Sequence, residues 1–303
     1  MPRSRTRAAR AMIIIMKTLL LIDASALVYR FFHALPPLTA PSGDQIQAIY
    51  GLSSVLLKIL KEQKPDYAAA ALDRPEKTFR EEKFEEYKSH RPPAPNALVF
   101  QLRLLPEVFQ NFNIKTFDKA GFEADDIIGT LSSRFSEEKD LRIIILSGDL
   151  DVLQLVRDNS IVGQIIKTGV SNTEIYDEKK VEERYGLKPS RLADYKGLVG
   201  DTSDNIPGVK GIGPKSAREL IKEFGNLENI YENLGLVKDS LAKKFESTKE
   251  KALLYRELAT IDKNAPIQMP ALQELAVKPP TPQILESYFE KLGFKSLARR
   301  LEN

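Results

Sequence analysis

In the first half of the chain, short aliphatic runs alternate with longer amphipathic stretches, the sign of an α/β domain built on a largely parallel sheet. The pattern predicts strands at Leu19 to Asp23, Tyr67 to Asp73, Ile114 to Thr116, Arg142 to Ser147 and Ile161 to Ile166. Helices are predicted at Gln45 to Lys61, Leu98 to Asn111, Glu123 to Ser136 and Leu150 to Val156. From about Glu178 the strand signal fades and helical periodicity takes over, through Val181 to Tyr185, Arg191 to Leu198, Ser216 to Phe224 and Leu241 to Leu258. A proline-rich stretch over 264 to 282 leads into a last amphipathic helix, Pro282 to Leu301, interrupted by Gly293. The expected organisation is therefore an α/β core over 17–177, a helical domain over 178–265 and a tail over 266–303 that packs back on the core, with no repeats or low-complexity tract.

Composition narrows the chemistry. At 303 residues and 42% apolar the chain is an ordinary globular protein of one large or two modest domains. It has no cysteine and two histidines, His33 and His90, which removes thiolate nucleophiles, disulfides and Cys/His zinc sites. Any metal must sit on oxygen, which points to magnesium, manganese or calcium. The net charge of +3 announces no polyanionic partner by itself. Residues 1 to 16 carry Arg3, Arg5, Arg7 and Arg10 ahead of an apolar stretch, and a signal peptide ending near Ala24-Ser25-Ala26 can be drawn there. Lys17 and Thr18 interrupt the apolar run and cleavage would remove Asp23, so a basic, disordered extension is the expectation, with an organelle transit peptide as the alternative. No run reaches the roughly 18 apolar residues that span a membrane, and a cytoplasmic monomer is expected.

The acids fall where ligands collect in such sheets, beyond the carboxyl ends of strands. Asp23 closes Leu-Leu-Leu-Ile-Asp and Asp73 closes a run of alanines; either alone reads as a turn residue. Glu123, Asp125 and Asp126 open a helix, where capping accounts for one or two acids but not three. Asp149 and Asp151 follow the strand Arg-Ile-Ile-Ile-Leu two residues apart, and Asp201 and Asp204 occupy a helix-loop junction. Nine converging carboxylates would repel one another severely unless cations were bound. Such a site supports phosphoryl transfer to water: two ions roughly 4 Å apart can ionise a water, align it and stabilise the leaving oxygen, with no protein nucleophile. With these acids assigned to one site, the rest of the chain is clearly basic, a surface fit for a polyanion.

Two other segments suggest what is cut. After Asp73, six Lys/Arg are interleaved with Phe79, Phe84 and Tyr87 up to a proline cluster. This is either a solvated helix face or an element that grips a single strand by charge and stacking. Downstream, Ile206-Pro207-Gly208-Val209-Lys210-Gly211-Ile212-Gly213-Pro214-Lys215 leads into an amphipathic helix bearing Arg218 and Lys222. A glycine hairpin between helices lets backbone N–H groups approach phosphates, as sequence-independent duplex binding requires.

From about Met16 to the C-terminus these stretches resemble, in order, the 5′ nuclease domain of bacterial DNA polymerase I and, more broadly, the flap endonuclease family. The matching segments are Leu-Ile-Asp-Ala-Ser, Tyr-Arg-Phe-Phe-His-Ala-Leu-Pro-Pro-Leu, Phe-Arg with Tyr-Lys-Ser-His-Arg, Glu-Ala-Asp-Asp-Ile-Ile-Gly-Thr, Gly-Asp-Leu-Asp-Val-Leu-Gln-Leu, and Gly-Asp-Thr-Ser-Asp-Asn-Ile-Pro-Gly-Val-Lys-Gly-Ile-Gly-Pro-Lys. The resemblance implies a PIN-like (resolvase-like) core and a helix-hairpin-helix domain. It implies two or more Mg2+ (or Mn2+) ions held by the nine acids, with Asp23, Asp73, Glu123 and Asp125 nearer one ion and Asp149, Asp151, Asp201 and Asp204 nearer the other. Segment 75–97 is then the helical arch through which a 5′ single strand passes, with Lys88 on the scissile phosphate, Arg80 and Arg91 assisting, and Tyr87 among the DNA contacts. Lys210, Gly211, Gly213 and Lys215 would touch duplex, and the carbonyls of Val209 and Ile212 would hold potassium. Ala24 and Leu150 stand where relatives usually carry glycine and a basic residue; neither change removes a ligand.

The implied activity is structure-selective 5′-3′ exonuclease and flap endonuclease cleavage of DNA with a free 5′ end, in replication and repair, with a polymerase module as a partner in cis or trans. A PIN-type ribonuclease and a catalytically decayed flap-binding scaffold are the alternatives. The arch and hairpin oppose the first, and the intact acids oppose the second.

Overall fold

The strands β1 (Lys17–Asp23), β2 (Tyr67–Ala71), β3 (Lys115–Phe117), β4 (Leu141–Ser147) and β5 (Ile161–Thr168) run parallel, and β6 (Asn172–Tyr176) returns antiparallel along β5. The sheet order is β3-β2-β1-β4-β5-β6 in the computed structural model, which describes residues 16–301 except 159, 170 and 171. The Arg-rich stretch expected to be an extension lies almost wholly outside the described residues. Asp23 is in register with Ala71, and Ile22 with Leu146. The C-terminal ends of β1, β2 and β4, each followed by acids, thus lie side by side.

Both faces of the sheet are covered, which is why its central strands read as continuous apolar runs. Leu20, Ile22, Ala68, Ala70 and Leu146 face one cluster with α1 (Ala24–Ala34), α2 (Gln47–Glu62), α4 (Asn96–Arg103) and α5 (Leu105–Asn111); α3 (Phe79–Lys83) lies apart, in the predicted arch. The alternate residues Leu19, Leu21, Ala69, Ala71, Ile143 and Ile145 face the other cluster with α6 (Ala124–Phe135). The remaining helices are α7 (Glu178–Tyr185), α8 (Leu192–Val199), α9 (Pro214–Phe224), α10 (Leu227–Glu232), α11 (Asp239–Phe245) and α12 (Lys249–Ala259). Of these, α8 to α12 enclose a separate core that includes Leu198, Leu220, Ile230, Phe245 and Ala252. The tail returns to the sheet, where Val277 donates to the Asp66 carbonyl. α13 (Pro282–Lys291) and α14 (Lys295–Ala298) then bury Leu285, Phe289, Phe294 and Leu297 with the α1/α2 core.

Several predicted elements change form. The helix expected over 98–111 is two, meeting at Leu104 ahead of Pro106, whose ring cannot continue a helix interior. Residues 151–155 form a 3-10 turn rather than an α-helix, and the stretch over 241–258 breaks at Ser247, which takes φ 58°. Helix α1 and strand β6 go unpredicted: Asp23 both ends β1 and caps α1, leaving no gap between them, and β6 is a polar edge strand.

Candidate active site

Asp23 is buried at 2% exposure, where it accepts hydrogen bonds from Ala26 N (3.0 Å) and Ser147 Oγ (2.6 Å). Ser25 Oγ receives the Asp73 backbone N–H at 2.8 Å, and the Asp73 carboxylate accepts from Ala124 N at 2.7 Å, so α1, the chain after β2 and the start of α6 are pinned together. Burial and the neighbouring Asp73 and Asp149 charges push the Asp23 carboxyl up to about 7. Asp73 faces the cleft but is ringed by protein, and burial together with Glu123 raises it too. Asp125 is raised well above the usual range by burial, then by Asp23, Asp149 and Asp151. The N–H of Asp151 bonds Asp149 Oδ1 at 3.0 Å, which folds the Asp149-Asp151 pair into one turn past β4. Asp23, Asp73, Glu123, Asp125, Asp149, Asp151 and Asp204 line one cleft of about 790 Å³.

The second group is neutralised differently. Oxygens of Asp151, Asp201 and Asp204 lie within 4.8 Å of one another, a spacing at which they could share a metal ion. Lys196 Nζ lies 2.6 Å from Asp201 Oδ2 and also bonds Asp151 Oδ1. Burial pushes Asp151 up to about 6 against the pull of Lys196; at Asp201, burial is outweighed by Lys196 and the Ser203 hydrogen bonds, and the carboxyl is lowered. An all-carboxylate donor set with this much unrelieved repulsion fits hard divalent cations such as Mg2+ or Mn2+.

Segment 75–97 lines the cleft with residues between Pro75 and Arg91 and folds as α3, consecutive turns and the start of α4, not as a continuous helical arch; Pro92, Pro93 and Pro95 supply no N–H to extend one. Lys88, at φ 52°, donates its N–H to the Asp204 carbonyl (3.0 Å) and its ammonium to Glu123 Oε1 (2.6 Å). Arg91 donates to Asp204 Oδ1 at 2.9 Å and stays exposed. Burial would raise Glu123, but Lys88 and Arg80 hold it below its ordinary value.

Three expectations are corrected. Asp126 is 0% exposed and takes both Arg80 terminal nitrogens at 2.7 Å, so it is a buried partner of Arg80, not a cleft ligand. Arg80 in turn reaches the Leu258 and Thr260 carbonyls at 2.8 and 2.7 Å, leaving it nothing to offer a phosphate. Tyr87 is 3% exposed, packed against Ile206, Leu258 and Ala259, with its hydroxyl 3.2 Å from Glu123 and 3.1 Å from Asp204; its ring is not available to a base. Sequence reasoning overlooked Lys196, and also Tyr29 and His33, which line the cleft one helical turn apart on α1. The four-residue spacing of Tyr29 and His33 on a helix was the signal available for that pair; Lys196 meets Asp201 across the turn at Gly200, which no periodic pattern marks.

Residues 18–186 match the family described as "5′-3′ exonuclease, N-terminal resolvase-like domain", and residues 187–283 match "5′-3′ exonuclease, C-terminal SAM fold". The chain belongs to the 5′-3′ exonuclease family. A 5′-3′ exonuclease of Aquifex aeolicus is 35% identical over 288 residues, covering 95% of this chain and 96% of that one. DNA polymerase I of Caldicellulosiruptor bescii is 41% identical over 285 residues, which are 93% of this chain but 33% of the polymerase. The chain thus spans about a third of the length of the polymerase I relatives it matches. Among solved structures, T5 5′-exonuclease with bound divalent zinc superposes with a TM-score of 0.67 at 20% identity, covering 94% of this chain and 98% of that one. The Rad2 catalytic core in complex with DNA substrate gives 0.59 at 19% identity, covering 95% and 93%. Both share the fold.

In this member of the 5′-3′ exonuclease family the glycine hairpin is built onto the acidic turn. Gly208, at φ 69°, lies so near Gly200 that a Cβ there would meet the Gly200 nitrogen at 2.3 Å. Val209 N donates to the Leu198 carbonyl at 2.8 Å, while Lys210, Gly211, Gly213 and Lys215 are exposed on the outer side. The Val209 carbonyl, expected to face potassium, accepts Ile212 N at 3.0 Å, and Lys244 Nζ bonds the Gly211 carbonyl at 2.8 Å.

Proposed function

We propose that this chain is a structure-selective 5′-3′ exonuclease and flap endonuclease that hydrolyses DNA phosphodiester bonds at or near free 5′ ends. What carries the reading is the convergence of eight carboxylates, from five separate segments, beside the cleft-lining cations Lys88 and Arg91. Asp23, Asp73, Glu123 and Asp125 hold one divalent ion and Asp149, Asp151, Asp201 and Asp204 the other, with Mg2+ or Mn2+ as the metals. When bound, such a pair supplies activation of a water and offsets charge on the leaving oxygen. The chain's own residues do the rest. Lys88 and Arg91 exchange Glu123 and Asp204 for the scissile phosphate; the Tyr29 ring, 40% exposed on the cleft wall, stacks on a base. Lys210, Lys215 and the Gly211 and Gly213 N–H groups bind duplex phosphates, with K+ at the hairpin carbonyls. The setting is replication and repair in the cytoplasm, as a monomer working beside a polymerase module. Among the described residues no helix is long and apolar enough to cross a membrane.

The test is a labelled 5′ flap incubated with Mg2+ or with chelator. Metal-dependent release of short 5′ products is expected. A protein that ignores DNA and cuts RNA supports the ribonuclease reading, and one that only shifts the flap supports a scaffold.

A further inference from the structure

The two groups of acids differ in one respect that the proposed two-ion site does not account for. In the first group the donors to Asp23 and Asp73 are neutral, Ser147, Ala26 and Ala124, and the cations Lys88 and Arg80 reach only Glu123. The Asp151-Asp201-Asp204 group instead receives a lysine from the body of the protein. Lys196 lies in the last turn of α8, and its carbonyl accepts Gly200 N at 2.8 Å; Gly200, at φ 82°, then turns the chain so that Asp201 comes back over the same lysine. The ammonium and the two carboxylates are each less than a quarter exposed. Lys196, like its partner Asp201, lies behind the residues that line the cleft, whereas Lys88 and Arg91 are among them.

We infer that Lys196 is a resident cation of the second ion position, competing with a divalent ion for Asp151 and Asp201 and thereby setting how weakly that ion binds. Its ammonium contacts one oxygen each of Asp151 and Asp201, two of the three acids whose spacing would suit a divalent ion. An ion entering there contends with an ammonium that holds two of its acids, whereas in the first group the Lys88 ammonium touches Glu123 alone and leaves Asp23, Asp73 and Asp125 without one. The two ions consequently bind with unequal affinity, and Lys196 is the positioning residue responsible for the difference. Removing its charge leaves Asp151 and Asp201 facing each other unrelieved, which favours a divalent ion.

The inference rests on the proposed metal site, and Mn2+ binding alone tests the two separately. Mn2+ is titrated into the full chain without DNA, following free Mn2+ by electron paramagnetic resonance and heat by calorimetry. Lys196→Met and Lys196→Gln are each expected to tighten the weaker ion by about tenfold or more, the effect a unit charge at contact distance has on a carboxylate, with the tighter ion moving less than about twofold. Lys196→Arg is expected to keep the wild-type pattern. If the wild type shows one ion only, the expected signature is a second ion in the Met and Gln variants. Unchanged or weakened binding of the second ion in both neutral variants, with thermal melts showing them folded, overturns the inference. No Mn2+ bound by the wild type or either variant overturns the metal site itself, and this inference with it.

Discussion

Asp23 shows how single residues here do several tasks: it ends β1, caps α1 and faces Asp73, with Ser147 as its buried donor. Asp149, by contrast, is exposed in the cleft and bonded only within its own turn, so replacing it disturbs little else. Asp149→Ala is expected to abolish flap cleavage while leaving flap affinity within about threefold, since phosphate contacts elsewhere supply binding; full activity at limiting Mg2+ would exclude Asp149 as a ligand. For Lys88→Ala the expected outcome is a large fall in kcat with little change in duplex affinity. A loss confined to affinity would make Lys88 a grip residue. Arg80 predicts the opposite kind of phenotype. Its side chain is 3% exposed and shared among Asp126, Glu123 and two carbonyls, so Arg80→Ala should cost about 3–5 kcal/mol of stability, the penalty for breaking a buried pair. Denaturant melts read this directly, and an unaltered midpoint would return Arg80 to the DNA-contact role.

At the scale of elements, the parallel strands were legible because burial on both faces leaves a continuous apolar signature, and their ends located the acids. The arch and α1 were not. Segment 75–97 has the composition of a solvated helix, and its true state depends on Tyr87 and Arg80 finding partners more than a hundred residues away, Asp204 for one and Leu258 and Thr260 for the other. Local pattern carries no trace of such contacts. The same limit explains Asp126: three acids opening one helix look alike in sequence, and only the position of Arg80 separates the buried one from its neighbours. The hairpin was legible in outline, since Gly208 and Gly211 take positive φ, but not its tie to Asp201 through Gly200. Because that tie holds the hairpin while Lys210 and Lys215 stay exposed, replacing both lysines with alanine should leave the cleft intact. The expected result is weaker duplex binding, a log K against log salt slope shallower by about 2, and unchanged kcat at saturating DNA. An unchanged salt slope would move the duplex elsewhere.

Across the whole molecule, carboxylates from both domains meet at one cleft, so its charge state is linked to global stability. Asp23, held near 7, and Asp151, near 6, have folded values above those of the unfolded chain, and Asp125 is raised as well. Between about pH 4 and pH 7 the native state therefore binds more protons than the unfolded one, and stability falls as pH rises through that window. Acids held low, such as Glu123 and Asp201, act in the other sense and lose their contribution only as pH drops below the ordinary carboxylate range. With chelator present, the Tm is expected to climb as pH is lowered from 8 to about 5 and to fall again below about 4. Divalent ions bind the ionised acids and oppose the repulsion that raised them, so Mg2+ should lift the Tm most at pH 8 and flatten the profile. The same linkage requires that ion binding at pH 6.5 release protons, measurable as a calorimetric heat that scales with buffer ionisation enthalpy. A Tm that rises with pH from 5 to 8 under chelator, together with no proton release, would mean that the carboxylates are not crowded in solution and that the cleft is not a metal site.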